Sequence, residues 1–174
     1  MRKPYRPVVL IVSLVAVSLA IELTGWLVVP SWTIAASAVS PATQPQVWSW
    51  YVDTRDWPHW DHLVDAVESS GPFTSGTTGS SRSGGLTMRS ELTNVQSGRA
   101  YTEVLHMPLA TMTATHALTP TEEGTRIEHG MKVEGPAAWL LFVLKRRELQ
   151  AGMNDAIQRL AMHAADGLPT SPLP

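Results

Sequence analysis

The 174-residue chain has no cysteine, which excludes disulfides and thiolate metal sites and removes thiols as a guide to redox compartment. Charge of one dominant sign is also missing: 13 Lys and Arg stand against 15 Asp and Glu, for a formal net charge of −2 without long runs of either sign. That balance argues against a nucleic-acid partner, because phosphate binding normally leaves a basic face. The motifs of several enzyme classes are absent too. No serine sits in a G-x-S-x-G elbow, no H-E-x-x-H pair occurs, and no phosphate-binding glycine loop is present. The stretch Gly76 to Gly85 is rich in glycine but lacks the lysine and the ordered spacing of such a loop. No cofactor is expected. There are no internal repeats, and the length suits one domain with a sizeable core, expected to be a monomer.

What the chain does have begins with one long apolar run. Arg2, Lys3 and Arg6 precede Val8 to Val29, in which Glu22 is the single charge. About 22 residues at a rise of about 1.5 Å match a hydrocarbon core about 30 Å thick. Glu22 falls in the outer third of the span, where a carboxyl can reach the headgroups or take a proton at modest cost. Trp26 and Trp32 flank the far end, as interfacial aromatics do. Positive charge before the span and little after it predict a single-pass membrane protein with a cytoplasmic N-terminus and the domain on the far side. The rival reading is a secreted protein whose signal is cleaved after Ser18-Leu19-Ala20; a soluble helix is a third, although the run has no polar face.

The remainder reads as strands around short helices. Ser31 to Ser40 is a strand, and Ala66 to Ser70 a second. Phe73 to Gly85 reads as a loop or a solvent-facing hairpin. Three strands alternate clearly. Leu86, Met88 and Leu92 oppose Thr87, Arg89 and Glu91; Met112, Ala114, His116 and Leu118 oppose Thr111, Thr113 and Thr115; Ile127, His129, Met131 and Val133 oppose Arg126, Glu128 and Lys132. Such alternation fits an antiparallel sheet with one wet face. Arg99 to Met107 is a further strand of ambiguous phase, and Asn94 to Gly98 and Thr119 to Gly124 read as hairpin connections, the latter punctuated by Pro120 and Gly124. After Gly135-Pro136, a long helix carries Leu149, Met153, Ile157, Leu160 and Ala164 on one stripe. Gly152 interrupts it, which allows close approach or a bend. Gly167 to Pro174 stops the helix and reads as a disordered tail.

Four of the seven tryptophans lie between Val47 and Asp61 (VWSWYVDTRDWPHWD). Aromatics packed this densely mark a segment folded on a core. Trp48 with Tyr51, and Trp57 with Trp60, share helical faces, and Pro58 suits a first helical turn. The segment therefore reads as two short helices meeting near Thr54 and Arg55. A strand followed by this tryptophan-rich pair resembles the opening of the START-like superfamily, in its SRPBCC polyketide cyclase/dehydrase and lipid-transport branch. Gly124-Thr-Arg-Ile-Glu-His129, Val133-Glu-Gly-Pro136 and the basic-then-apolar last helix extend the resemblance over roughly residues 31 to 166. It implies an α+β helix-grip fold, a curved antiparallel sheet wrapped around the C-terminal helix, preceded here by the N-terminal span. The domain plan is then 1–30 anchor or signal, 31–166 helix-grip domain and 167–174 tail.

The resemblance also implies a central cavity for a hydrophobic small molecule or lipid, and in a minority of members cyclisation or dehydration there; it brings no universal catalytic motif. The polar groups facing inward are therefore the ones to weigh. His116 and His129 both fall on the apolar phase and could orient a ligand or move a proton, or could be structural core histidines. Two histidines without a third donor fall short of a metal site. Met88, Met112, Met131 and Met153 suit an adaptable pocket or an ordinary core. Tyr101 and His106 could add polar groups if their strand turns them inward. The expected function is a membrane-anchored module binding an apolar ligand in a pocket of a few hundred cubic ångströms. The alternatives are a cyclase or dehydratase using an inward His or Tyr, and a cell-envelope interaction protein without a ligand. Ala137 to Leu144, followed by Lys145-Arg-Arg147, is apolar all round; it is expected to be buried under the tryptophan helices, the alternative being that it touches the bilayer with its basic residues at anionic headgroups.

Overall fold

The computed structural model describes the backbone of residues 5–167 and the side chains of residues 8–167. The N-terminal Arg2 and Lys3, and the tail from residue 168 onward, lie outside the described residues. The element order is α1 (Tyr5–Val28), β1 (Ser31–Ser40), α2 (Gln44–Val52), a 3-10 turn (Thr54–Asp56), α3 (Trp57–Trp60), β2 (Ala66–Ser69), β3 (Thr78–Ser83), β4 (Leu86–Gln96), β5 (Ala100–Met107), β6 (Ala110–Thr121), β7 (Gly124–Glu134) and α4 (Ala138–Asp166). The seven strands form one antiparallel sheet in the order β1-β7-β6-β5-β4-β3-β2. The sheet curves around α4, giving the helix-grip α+β fold that the sequence pattern implies.

Local chemistry explains the connections. The backbone N–H of Thr43 donates to the Gln46 carboxamide at 2.8 Å and starts α2. Asp53 accepts from the Arg55 backbone N–H at 3.3 Å and turns the chain into the 3-10 segment. Pro58 lies in the first turn of α3. The tryptophan segment packs inward as expected: Trp50, Tyr51, Trp57 and Trp60 are buried. Gly152 permits the close approach its position suggested, since a Cβ there would lie 2.6 Å from a Leu63 methyl. Gly152→Ala gains about 1 kcal/mol of helix propensity while displacing Leu63. Stability measured by equilibrium unfolding is therefore expected to change by less than about 1 kcal/mol.

Several expectations are corrected. Of the two readings of Phe73 to Gly85, the hairpin rather than the loop describes Thr78 to Ser83, a strand paired with β2 on one side and β4 on the other, although its Ser81 is buried rather than solvent-facing. Its Ser, Thr and Gly residues carry no apolar pattern, so the pairing of its neighbours imposes the strand. β4 runs through the expected connection to Gln96, with a register shift after Thr93 and Asn94 at φ 49°. β6 and β7 likewise extend until only Glu122 and Glu123 turn between them. Leu86, expected inward, is 47% exposed beside the Gly84-Gly85 turn. Trp32 is not an interfacial anchor but a core residue whose indole donates to the Ala138 carbonyl at 2.8 Å. The apolar start of α4 is not covered by the tryptophan helices: Phe142, Val143 and Leu144 are exposed.

Candidate functional site

The core divides into two clusters. One gathers Trp50, Tyr51, Trp57, Trp60, Tyr101, Ile127 and Leu160; the other gathers Trp32, Ile34, Met88, Leu105, Met112, Val133 and Met153. A cavity of about 90 Å³ is walled by members of both. Seven of the eight residues singled out from the sequence line it: Met88, Tyr101, Met112, His116, His129, Met131 and Met153. β5, whose phase was ambiguous, turns Tyr101, Glu103 and Leu105 inward and leaves His106 exposed. The volume is well below the expected few hundred cubic ångströms, because the methionine, leucine and tryptophan side chains fill the grip.

The polar end of the cavity is built on three adjacent strands. Tyr101 of β5 stands opposite His116 of β6, which stands opposite His129 of β7. That register stacks the Tyr101 and His116 rings at 4.2 Å and 6° and sets the two imidazoles edge to face at 4.4 Å. Tyr51 of α2 closes the group from above, its hydroxyl 2.8 Å from His129 Nε2. The two histidines therefore differ. His129 has a protein partner, whereas His116 Nδ1 is buried without one, as are Tyr101 Oη and Trp60 Nε1. Buried polar atoms in native proteins nearly always have partners, so three orphans among the residues of one cavity set it apart from an ordinary core.

Ionisation completes the picture. Burial pushes both imidazoles down, His129 to about 3, and the neighbouring His129 lowers His116 further. Both rings are neutral at pH 7, each offering one donor and one acceptor. Two carboxyls that the sequence reading passed over also line the cavity. Burial raises Glu103 to about 7, against a hydrogen bond from Ser90 and with help from the Asp61 charge. Burial likewise raises Asp61 to about 6, against the Leu63 backbone N–H that it accepts at 2.9 Å. Among the described residues neither carboxyl forms a salt bridge. Glu103 was legible in principle, since it shares the phase of Tyr101 and Leu105. Tyr51 was seen as a core aromatic, but its contact with a histidine 78 residues away was not. No cluster of three His or carboxylate groups able to hold a metal ion occurs among the described residues.

Comparison with known proteins agrees with this architecture. The profile of the family described as polyketide cyclase / dehydrase and lipid transport matches residues 31–165. A search of curated proteins finds no match. Among solved structures, the chain is similar to a hypothetical protein of Helicobacter pylori, with a TM-score of 0.66 and 10% identity over 76% of this chain and 88% of that one. A Thermus thermophilus protein matches with a TM-score of 0.61 and 16% identity over 78% of this chain and 98% of that one. The di-domain ARO/CYC StfQ from the steffimycin biosynthetic pathway matches with a TM-score of 0.61 and 16% identity over 78% of this chain, which spans 51% of that one. At such identities the structural likenesses show the fold alone.

Proposed function

The chain belongs to the polyketide cyclase / dehydrase and lipid transport family, and from that footing we propose that it is a membrane-anchored binding protein for a hydrophobic small molecule bearing one polar group. The observation that carries the reading is the cluster of orphaned polar atoms, Trp60 Nε1, Tyr101 Oη and His116 Nδ1, on residues lining a cavity that four methionines and three leucines also wall. A ligand carbonyl or hydroxyl there would satisfy groups that otherwise each cost about 1–3 kcal/mol, while its apolar part meets Met88, Met112, Met131 and Met153. Small-molecule sites usually measure about 300–1,000 Å³, so the ligand is either small or widens the grip by moving flexible walls such as the methionines and Leu63. Residues 8–29 form the anchor in this reading; their helical part, Val8 to Val28, is long and apolar enough to cross a membrane and is not buried by the domain. Residues 31–166 form the binding domain.

The test compares organic extracts of the purified full-length protein with those of Met112→Trp, whose indole fills the cavity. A stoichiometric apolar compound present in the first and lost from the second is expected by mass spectrometry. Lipids retained by α1 appear in both and cancel. Identical extracts would place any ligand elsewhere.

A second reading, a cyclase- or dehydratase-type enzyme, is favoured by one observation. Glu103 and Asp61, with carboxyls raised to about 7 and about 6, are suited to proton transfer near neutrality, whereas the neutral histidines are not. An enzyme would show a rate that titrates with these carboxyls and is abolished by Glu103→Gln.

A further inference from the structure

Outside α1, the first turns of α4 carry an exposed apolar surface that the cavity does not explain. Leu140, Phe142, Val143 and Leu144 are 37%, 38%, 69% and 65% exposed, and the basic run Lys145, Arg146, Arg147 follows at once. In the structure this segment lies across the end of α1. The Trp139 indole N–H donates to a Glu22 carboxylate oxygen at 3.1 Å, and the Trp139 ring rests on Gly25, where any Cβ would collide with it. On the other side Phe142 meets the Trp32 ring edge to face at 6.1 Å. Between the two helices an open cleft of about 590 Å³ is lined by Val17, Ile21, Val28, Trp139, Phe142 and Val143 among others, with Thr24 its one polar side chain.

We propose that this segment of α4 is a second membrane contact, laid into the leaflet at the C-terminal end of α1, with lipid acyl chains in the cleft and anionic headgroups at Arg146 and Arg147. The proposal rests on the reading that α1 spans the bilayer. Depth is what ties the two together. Glu22 and Gly25 lie six and three residues before Val28, which at a rise of about 1.5 Å is about 9 and 4.5 Å inside the end of the span. Trp139 is held at that level. Interfacial helices bury their apolar face about 5–10 Å into the boundary between headgroups and acyl chains, so the tether alone sets Trp139, Phe142 and Val143 at the right depth. Indole is the side chain that favours this level. The charges fit the same surface: Lys145 is partly neutralised by Glu148 at 2.7 Å, but Arg147 is exposed, and Arg146 rests over the Phe142 ring at 5.5 Å, leaving two guanidinium groups for headgroup phosphates. The contact would also hold α4, whose Leu149 and Met153 line the cavity, against the phase in which apolar ligands dissolve.

The absence of cysteine makes the test clean, because single nitroxide labels can be placed on an otherwise unreactive chain. Full-length protein carrying Val143→Cys or Leu144→Cys is labelled in vesicles of phosphatidylcholine with phosphatidylglycerol, and collision with dissolved oxygen is compared with collision with a water-soluble nickel chelate. High oxygen and low nickel accessibility at both positions is the expected result, against high nickel accessibility at Leu86→Cys. Nickel accessibility at 143 and 144 matching that at 86 overturns the proposal. Low accessibility to both reagents overturns it as well, since it means that protein, such as a second copy of the chain, covers the patch. A label at Leu14→Cys separates the two readings: lipid-exposed there but aqueous at 143 leaves the anchor standing and removes the second contact, whereas aqueous at 14 removes both. Arg146→Gln with Arg147→Gln is expected to raise the undocked-to-docked ratio about 30-fold in the anionic vesicles and to change little in phosphatidylcholine alone. Equal behaviour in the two lipids overturns the headgroup contact.

Discussion

Replacing Glu103 by Gln is expected to stabilise the protein at pH 8 by about 3 kcal/mol and to change it little near pH 5. Glu103 is 6% exposed, and its carboxyl receives a hydrogen bond from Ser90 and has no salt bridge among the described residues. Its proton is held to about pH 7 in the fold against an ordinary value of 4.5. The folded state therefore binds that proton more tightly than the unfolded chain. Its contribution to stability is complete below pH 4.5, declines as pH rises and is gone above about 7. One proton over that interval, at about 1.4 kcal/mol per pH unit, gives about 3 kcal/mol. Gln keeps a polar end for Ser90 and carries no proton to lose. Asp61 adds a decline of the same sign, while the depressed histidines act oppositely below pH 6.5. The wild-type profile alone is thus a poor guide, and the difference between variant and wild type across pH 5 to 8, from denaturant unfolding, is the informative quantity. A variant no more stable at pH 8 would mean that the carboxyl is not desolvated. A buried acid that costs stability at neutral pH is what a site for ligand or proton chemistry leaves behind.

The helix-grip architecture was legible because its best strands have one wet face. β6 and β7 alternate so regularly that the inward placement of Met112, His116, His129 and Met131 follows from period two alone. The tryptophan segment was legible for another reason: aromatic density is costly unless buried, and Pro58 marks a first helical turn. β5 was not legible in phase, since Tyr101 and Glu103 on one face compete with Val104 and His106 on the other, and only pairing between β4 and β6 decides. β3 is a strand by virtue of its two neighbours, which no local pattern of Thr, Ser and Gly announces. The cavity's small volume and the exposure of Phe142 to Leu144 are three-dimensional outcomes, set by how far side chains from distant strands and helices reach. What the sequence could least supply was the asymmetry of the two histidines, because it depends on a Tyr51 hydroxyl delivered by a different element.

That asymmetry predicts opposite signs for two otherwise identical substitutions. His129→Phe strands the Tyr51 hydroxyl, which is fully buried and bonded to His129 Nε2 at 2.8 Å. A buried hydroxyl deprived of its partner costs about 1–3 kcal/mol, so the variant should be less stable by that amount at pH 7. The deficit should shrink as pH falls below 6.5. The wild-type imidazole, held at about 3 in the fold, resists a proton that the unfolded chain accepts, so the wild type loses stability there while Phe has nothing to titrate. His116→Phe removes a nitrogen that already lacks a partner and preserves a flat ring to stack on Tyr101, now at 4.2 Å. It should therefore be neutral or stabilising by up to about 2 kcal/mol, since an orphan's desolvation cost disappears with it. The same His116→Phe protein should lose the compound that the wild type carries through purification, because Nδ1 is among the atoms assigned to the ligand's polar group. Occupancy would then fall at position 116 without a loss of stability, whereas stability falls at 129. Equal destabilisation at both positions, with occupancy unchanged, would make the pair ordinary core histidines and leave the cavity without its polar anchor.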